Sequence, residues 1–156
     1  ALGGTLKENS AFYSTLKKWT KDSSENIRRG VVLAAVVLRD KNDPAKLKKA
    51  FALFEPLMYD SSVYVKKNLG PFILGSYFGN GATEVTMQFL GRMLKVKNEN
   101  VRWNIAMAFN NSFGSNHPEL ARKFLKALSK DTSPVVQRAV KSTINHLRKR
   151  HAGFAP

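Results

Sequence analysis

At 156 residues, 43% of them hydrophobic and 24% charged, the chain has the size and composition of one globular domain able to bury a core. It contains no cysteine, which excludes disulfides, thiolate metal ligands and cysteine nucleophiles. Twenty-six Lys and Arg against eleven Asp and Glu leave a net charge of +15, a field that draws polyanions: nucleic acid first, anionic membrane surfaces or acidic proteins second.

A first helix is predicted over 9–20. Asp22-Ser-Ser-Glu-Asn-Ile27-Arg28-Arg29 follows, cap chemistry and then an apolar first turn, opening a second helix with Ile27, Val31, Ala34 and Leu38 on one stripe. Asp43-Pro44 places proline at the first position of a helix over 44–59. Asp60-Ser-Ser-Val-Tyr-Val65-Lys66-Lys67 restarts the pattern, with Val65, Leu69, Phe72 and Ile73 as its stripe. Gly70-Pro71 lies inside that helix; proline removes one i to i−4 bond and predicts a kink, which tunes curvature or shapes a pocket.

Gly79-Asn80-Gly81 separates this helix from the next, over 82–96. Asn98-Glu-Asn-Val101-Arg102-Trp103 then begins a helix with Val101, Ile105, Ala108 and Phe109 inward, and Gly114-Ser115-Asn116 breaks it. His117-Pro118 opens a helix over 118–130. Asp131-Thr-Ser-Pro-Val-Val136-Gln137-Arg138 starts the last, striped by Val136, Val140, Thr143, Ile144 and Leu147. No stretch alternates with period two, so no strand is expected. The longest apolar run, Gly30 to Leu38, is too short to span a bilayer, and no charged-then-apolar leader opens the chain. The expected location is the cytoplasm, or the nucleus in a eukaryote.

The four cap segments recur at steps of 38, 36 and 35 residues, counted from Ile27 to Val65, Val101 and Val136. Internal periods of this size mark stacked repeats. Helix pairs with a cap-x-x-Val-Arg/Lys start resemble HEAT repeats. The fold expected is all-α, a single α-solenoid domain of about four HEAT-like helical hairpins, over 9–39, 44–78, 82–113 and 118–150. In that family the Asp and the basic residue commonly hydrogen-bond within and between repeats as a ladder, which gives Arg28, Lys66 and Arg102 a structural reading. Gln137 departs from the pattern, as capping repeats do.

Two passages carry a narrower likeness. Leu16-Lys-Lys-Trp19, followed by Asn26-Ile27-Arg28-Arg29-Gly30-Val31, is one. Val65-Lys66-Lys67-Asn68-Leu69-Gly70 is the other, and Val101-Arg102-Trp103-Asn104-Ile105-Ala106 with Asn116-His117-Pro118-Glu119 fits the same helix one repeat later. They resemble the HEAT-like alkylpurine DNA glycosylases of the DNA alkylation repair family. There, a Trp on that helix and a Trp-Trp-Asp-x-Val-Asp segment form a concave catalytic pocket. Here the helix Trp position falls on Pro71 or on Met107, and the second segment has no counterpart; by order it precedes Ala1. The resemblance implies the fold and a DNA-facing surface, and carries over no active site.

Base excision needs a carboxylate to stabilise a cationic sugar centre or activate water. Asp22, Asp43, Asp60 and Asp131 read as caps, and Glu25, Glu84, Glu99 and Glu119 as first-turn residues favoured by the helix dipole. Glu8, Asp40 and Glu55 remain, and Glu55, beside Pro56 in an apolar helix, is the one that stands out. His117, His146 and His151 have no metal-ligand spacing, and no phosphate loop or nucleophile elbow is present. The reading leans to a non-enzyme with no catalytic residue, no metal and no cofactor.

If the second helix of each pair lines a concave face, one column reads Arg29, Lys67, Trp103 and Arg138, each one residue past the ladder position. Lys141, Asn145 and Arg148 extend it along the last helix, which ends in Arg148-Lys149-Arg150-His151. Cations with an aromatic suit a phosphate backbone, and Trp103 could stack on a base or pack between repeats. The expected partner is DNA, duplex and bound without reading sequence; an acidic protein segment is the alternative, and a glycosylase completed by residues upstream is the second. Membrane binding is not expected.

Overall fold

The computed structural model describes residues 10–156; Glu8 and the expected first-helix start at residue 9 lie outside the described residues. The elements are α1 (Ser10–Trp19), α2 (Glu25–Ala34), a 3₁₀ turn (Ala35–Leu38), α3 (Pro44–Leu57), α4 (Val63–Lys67), a π-helix (Asn68–Gly79), α5 (Thr83–Met93), α6 (Glu99–Ala108), α7 (Ser112–Asn116), α8 (Pro118–Leu128) and α9 (Pro134–Arg148). The described residues hold no strand, so the fold is all-helical. None of their helices is long and apolar enough to cross a membrane.

Proline occupies an opening position of α3, α8 and α9, where its missing N–H is one that no helix bond would use. Three of the expected caps shift by two residues. Ser24, Ser62 and Ser133 are the capping residues of three repeated segments, whereas Asn98 and, at α3, Asp43 cap from the expected positions. Asp22, Asp60 and Asp131 instead accept the backbone N–H of those serines at 2.8–2.9 Å, an Asx turn that aims the chain into the helix. Asp and Ser have the same capping chemistry, so the spacing alone leaves the helix start ambiguous.

Each helix that follows a cap lies against the one that follows the next cap: α2 against α4 and the π-helix, the π-helix against α6, and α6 against α9. Val65, Val101 and Val136 are fully buried in these contacts, whereas Ile27, expected among them, is 38% exposed because no described element precedes its pair to cover it. An aromatic cluster of Phe51, Phe54, Phe78 and Phe89, with centroids 4.9–5.7 Å apart, joins α3, the π-helix and α5. Phe109, Phe113 and Phe124 form a second at 5.2–5.3 Å.

Two local expectations change. Pro71 does not interrupt its helix: where a kink is expected, the backbone widens into the π-helix, and the Pro71 carbonyl accepts a 2.8 Å bond from Asn111 Nδ2. The wider turn carries Phe72, expected in the core, to 48% exposure. Gly114 is not a break either. The chain turns at 109–111, and Gly114 sits in α7 because any Cβ there would overlap the Phe109 carbonyl.

Candidate nucleic-acid interface

The basic residue one turn into each post-cap helix ties its repeat to the next. Arg28 Nε and Nη2 reach the Asp60 carboxylate at 2.5 and 3.1 Å, and Arg102 pairs with Asp131. Arg28 Nη1, Arg102 Nε and Gln137 Nε2 each also donate to the carbonyl six residues back, at 2.7–3.1 Å. A second link repeats beside the first: Ser62 Oγ donates to Glu25 at 2.5 Å and Ser133 Oγ to Glu99 at 2.6 Å. Arg28 is held more firmly protonated by its hydrogen bond to Asp60. Burial pushes the Asp131 carboxyl up, but bonds from Arg102 and the Ser133 N–H outweigh it and hold it below the usual range.

The middle junction is built differently. Lys66 finds Asn100 Oδ1 at 3.0 Å instead of a carboxylate, because Asn98 stands where its neighbours carry Asp. Burial lowers its pKa. Its Nζ lies 4.7 Å from the Trp103 ring centroid, a cation–π contact that covers one face of the indole. Asn104, fully buried behind it, donates to the Met58 and Asn100 carbonyls, while its Oδ1 has no partner.

One residue further on the environment reverses. Arg29, Lys67 and Arg138 are exposed, and no ion pair among the described residues engages them. Trp103, fourth in the same register, is half-buried and packed on the core. Lys141 and Arg148 instead border a separate shallow groove of about 210 Å³ with Gln137 and Ser129, at the α8–α9 flank. Arg148 Nε is engaged there by the Phe154 carbonyl at 3.0 Å. Arg29, Lys67 and Arg138 thus share exposure and the absence of an ion pair among the described residues, while Lys141 and Arg148 share a groove.

Sequence reasoning passed over another cationic row. Lys21, Lys97 and Lys130, all exposed, each precede the Asx residue of their repeat, with Tyr59 in the same place in the second. Lys97 and Lys130 line a groove of about 460 Å³ over the Arg102–Asp131 pair. Their signal lies one residue before the Asp or Asn that opens each repeated segment.

The acids are spent on structure. Glu55, the one that stood out, is exposed and pairs with Arg92 at 2.7 Å. Glu119 meets Arg122 at 3.6 Å, and Asp43 accepts the Lys46 backbone N–H. His146 Nε2 lies 3.4 Å from Ser115 Oγ and His151 Nε2 lies 2.8 Å from the Ser115 carbonyl, so both tie the C-terminal region to α7. No group of three His, Asp or Glu among the described residues is placed to hold a metal. Compared with protein-family models, with curated proteins and with solved structures, the chain matches none.

Proposed function

We propose that the chain is a HEAT-like α-solenoid of four helix pairs that holds the phosphate backbone of DNA without reading its sequence, as a binding module and not as the glycosylase its motifs resemble. The observation that carries this reading is the contrast between adjacent positions. Arg28 and Arg102 are consumed by carboxylates of the next repeat, while Arg29, Lys67 and Arg138 recur unpaired at the surface of a chain of net charge +15. A row of free cations spaced by packed helices meets a polyanion at several points at once, and such contacts position a strand without specifying bases.

The test is a fluorescence-anisotropy titration of labelled DNA at two salt concentrations. If the three cations neutralise three phosphates, affinity falls about fortyfold between about 50 and 200 mM salt. Replacing Arg29, Lys67 and Arg138 together by Glu removes most of the binding and flattens the salt dependence. Unchanged DNA affinity in a folded triple variant sinks the proposal. Binding of an acidic peptide that DNA does not compete supports the protein-scaffold alternative, and release of methylated bases from alkylated DNA supports the enzyme.

A further inference from the structure

We infer that the ligand of this surface is a single-stranded nucleic acid whose unpaired bases stack on Tyr64 and Phe72; the inference rests on the polyanion reading above. Among the described residues, four of the five exposed large apolar side chains fall between 59 and 72: Tyr59 at 45%, Val63 at 57%, Tyr64 at 60% and Phe72 at 48%. Tyr59 lines a groove with α1 and α3 residues, which leaves Tyr64 and Phe72 as the aromatic rings exposed along the helix that carries Lys67; flat rings beside cations suit a polyanion that carries bases.

The backbone twist favours one side of the helix for both residues. In an α-helix eight residues carry Phe72 about 80° round from Tyr64. Beyond Lys67 the chain is π-helical, and its i to i+5 turn advances fewer degrees per residue, which brings Phe72 back above Tyr64. Asn68, between them, donates to the Tyr64 carbonyl at 2.7 Å and locks the junction of α4 and the π-helix. Lys67 stands beside this line, and Arg29 and Trp103 occupy its register in the neighbouring repeats. Trp103 is the poorer platform, because Lys66 already covers one of its faces. Tyr64 and Phe72 carry no such cover.

Cations flanking open aromatic faces match an unpaired strand on both counts. The backbone meets Arg29 and Lys67, and the bases, whose faces a duplex hides in its stack, meet the rings. Every base has such a face, so the binding tolerates any sequence.

The test is anisotropy on the full chain at low salt with an oligothymidylate, an oligouridylate and a duplex of equal length. The oligothymidylate or the oligouridylate binds more tightly than the duplex, and the stronger of the two separates DNA from RNA. Tyr64→Leu with Phe72→Leu keeps the apolar bulk but removes the flat faces; it weakens single-strand binding about ten- to a hundredfold and leaves the duplex within about twofold. Tyr64→Phe with Phe72→Tyr binds as the parent does, and thermal unfolding shows all variants folded. A duplex that binds as tightly as both single strands, or a Leu variant that holds them undiminished, overturns this inference alone. Failure of every nucleic acid to bind removes the underlying reading with it.

Discussion

Position 66 holds a lysine where the equivalent positions 28 and 102 hold arginines, and the difference follows from what each side chain faces. A guanidinium can grip a carboxylate with two donors and still reach a backbone carbonyl, as Arg28 does with Asp60 and the Asp22 carbonyl. Lys66 faces an amide and an indole, so a single ammonium suffices, and its desolvation outweighs Glu99 and Asp60, which act on it only from beyond ion-pair distance. Arg102→Met strands the nearly buried Asp131 carboxylate and is expected to lower stability by about 1–3 kcal/mol in urea unfolding. Lys66→Met, which removes a charge with no carboxylate to strand, changes it by less than about 1 kcal/mol. A larger loss for Lys66 than for Arg102 contradicts this account.

The two groups also differ in pH dependence. Asp131 has its pKa depressed on folding, so its contribution is present above the ordinary carboxylate value and is lost as pH falls through the lower folded value. Asp131→Asn therefore softens the acid limb of a stability profile below about pH 4. Lys66 is depressed as well, but as a base: the unfolded chain binds its proton more tightly, so stability rises with pH approaching about 10. Lys66→Met removes that rise. The ladder positions were legible because a basic residue recurred beside a recurring Val. Their partners are less so: Asp60 and Asp131 read as caps, and the Ser62–Glu25 link pairs residues from different repeats.

At the scale of elements, the π-helix is the feature that periodicity could not show. Its apolar residues fit a 3.6-residue stripe nearly as well as a wider one, and only Phe72 falls on the wrong side. Three of its glycines are required by close packing. A Cβ on Gly70 would stand 2.8 Å from Asn104 Oδ1, one on Gly75 would overlap the Ala108 carbonyl, and one on Gly79 would press into the Phe113 ring. Gly75→Ala is accordingly expected to destabilise by about 1–3 kcal/mol, since a carbonyl of the packed α6 helix must shift. Gly91, within α5, has nothing within 4 Å of such a Cβ. Gly91→Ala should therefore stabilise by about 0.4–1 kcal/mol through the unfolded chain's lost freedom. Paired thermal melts read the opposite signs; the same sign in both means that helix propensity, and not the approach of α6, governs the π-helix. The helix pairs and their order were legible from caps and prolines, because those signals are local. The π-helix depends on Asn104 and Asn111, more than thirty residues away.

For the molecule as a whole, a charge of +15 opposes compaction, and the free cations add to that repulsion while contributing no contact of their own. Each Arg or Lys to Glu reversal removes two positive charges, so the Arg29, Lys67 and Arg138 triple variant falls from +15 to +9. Without ligand at low salt, that variant is expected to melt at a higher temperature than the parent, and added salt, which screens the repulsion, should narrow the gap. With nucleic acid present the order inverts. Ligand that binds only the native state stabilises the parent in proportion to the logarithm of its concentration over Kd, and leaves the variant where it was. Cations with a hidden structural role give the contrary result, a variant less stable than the parent at every salt concentration, because removing them leaves partners unmatched. Scanning calorimetry of the two proteins, with and without an oligonucleotide, separates a surface held open for a polyanion from one that merely carries many lysines.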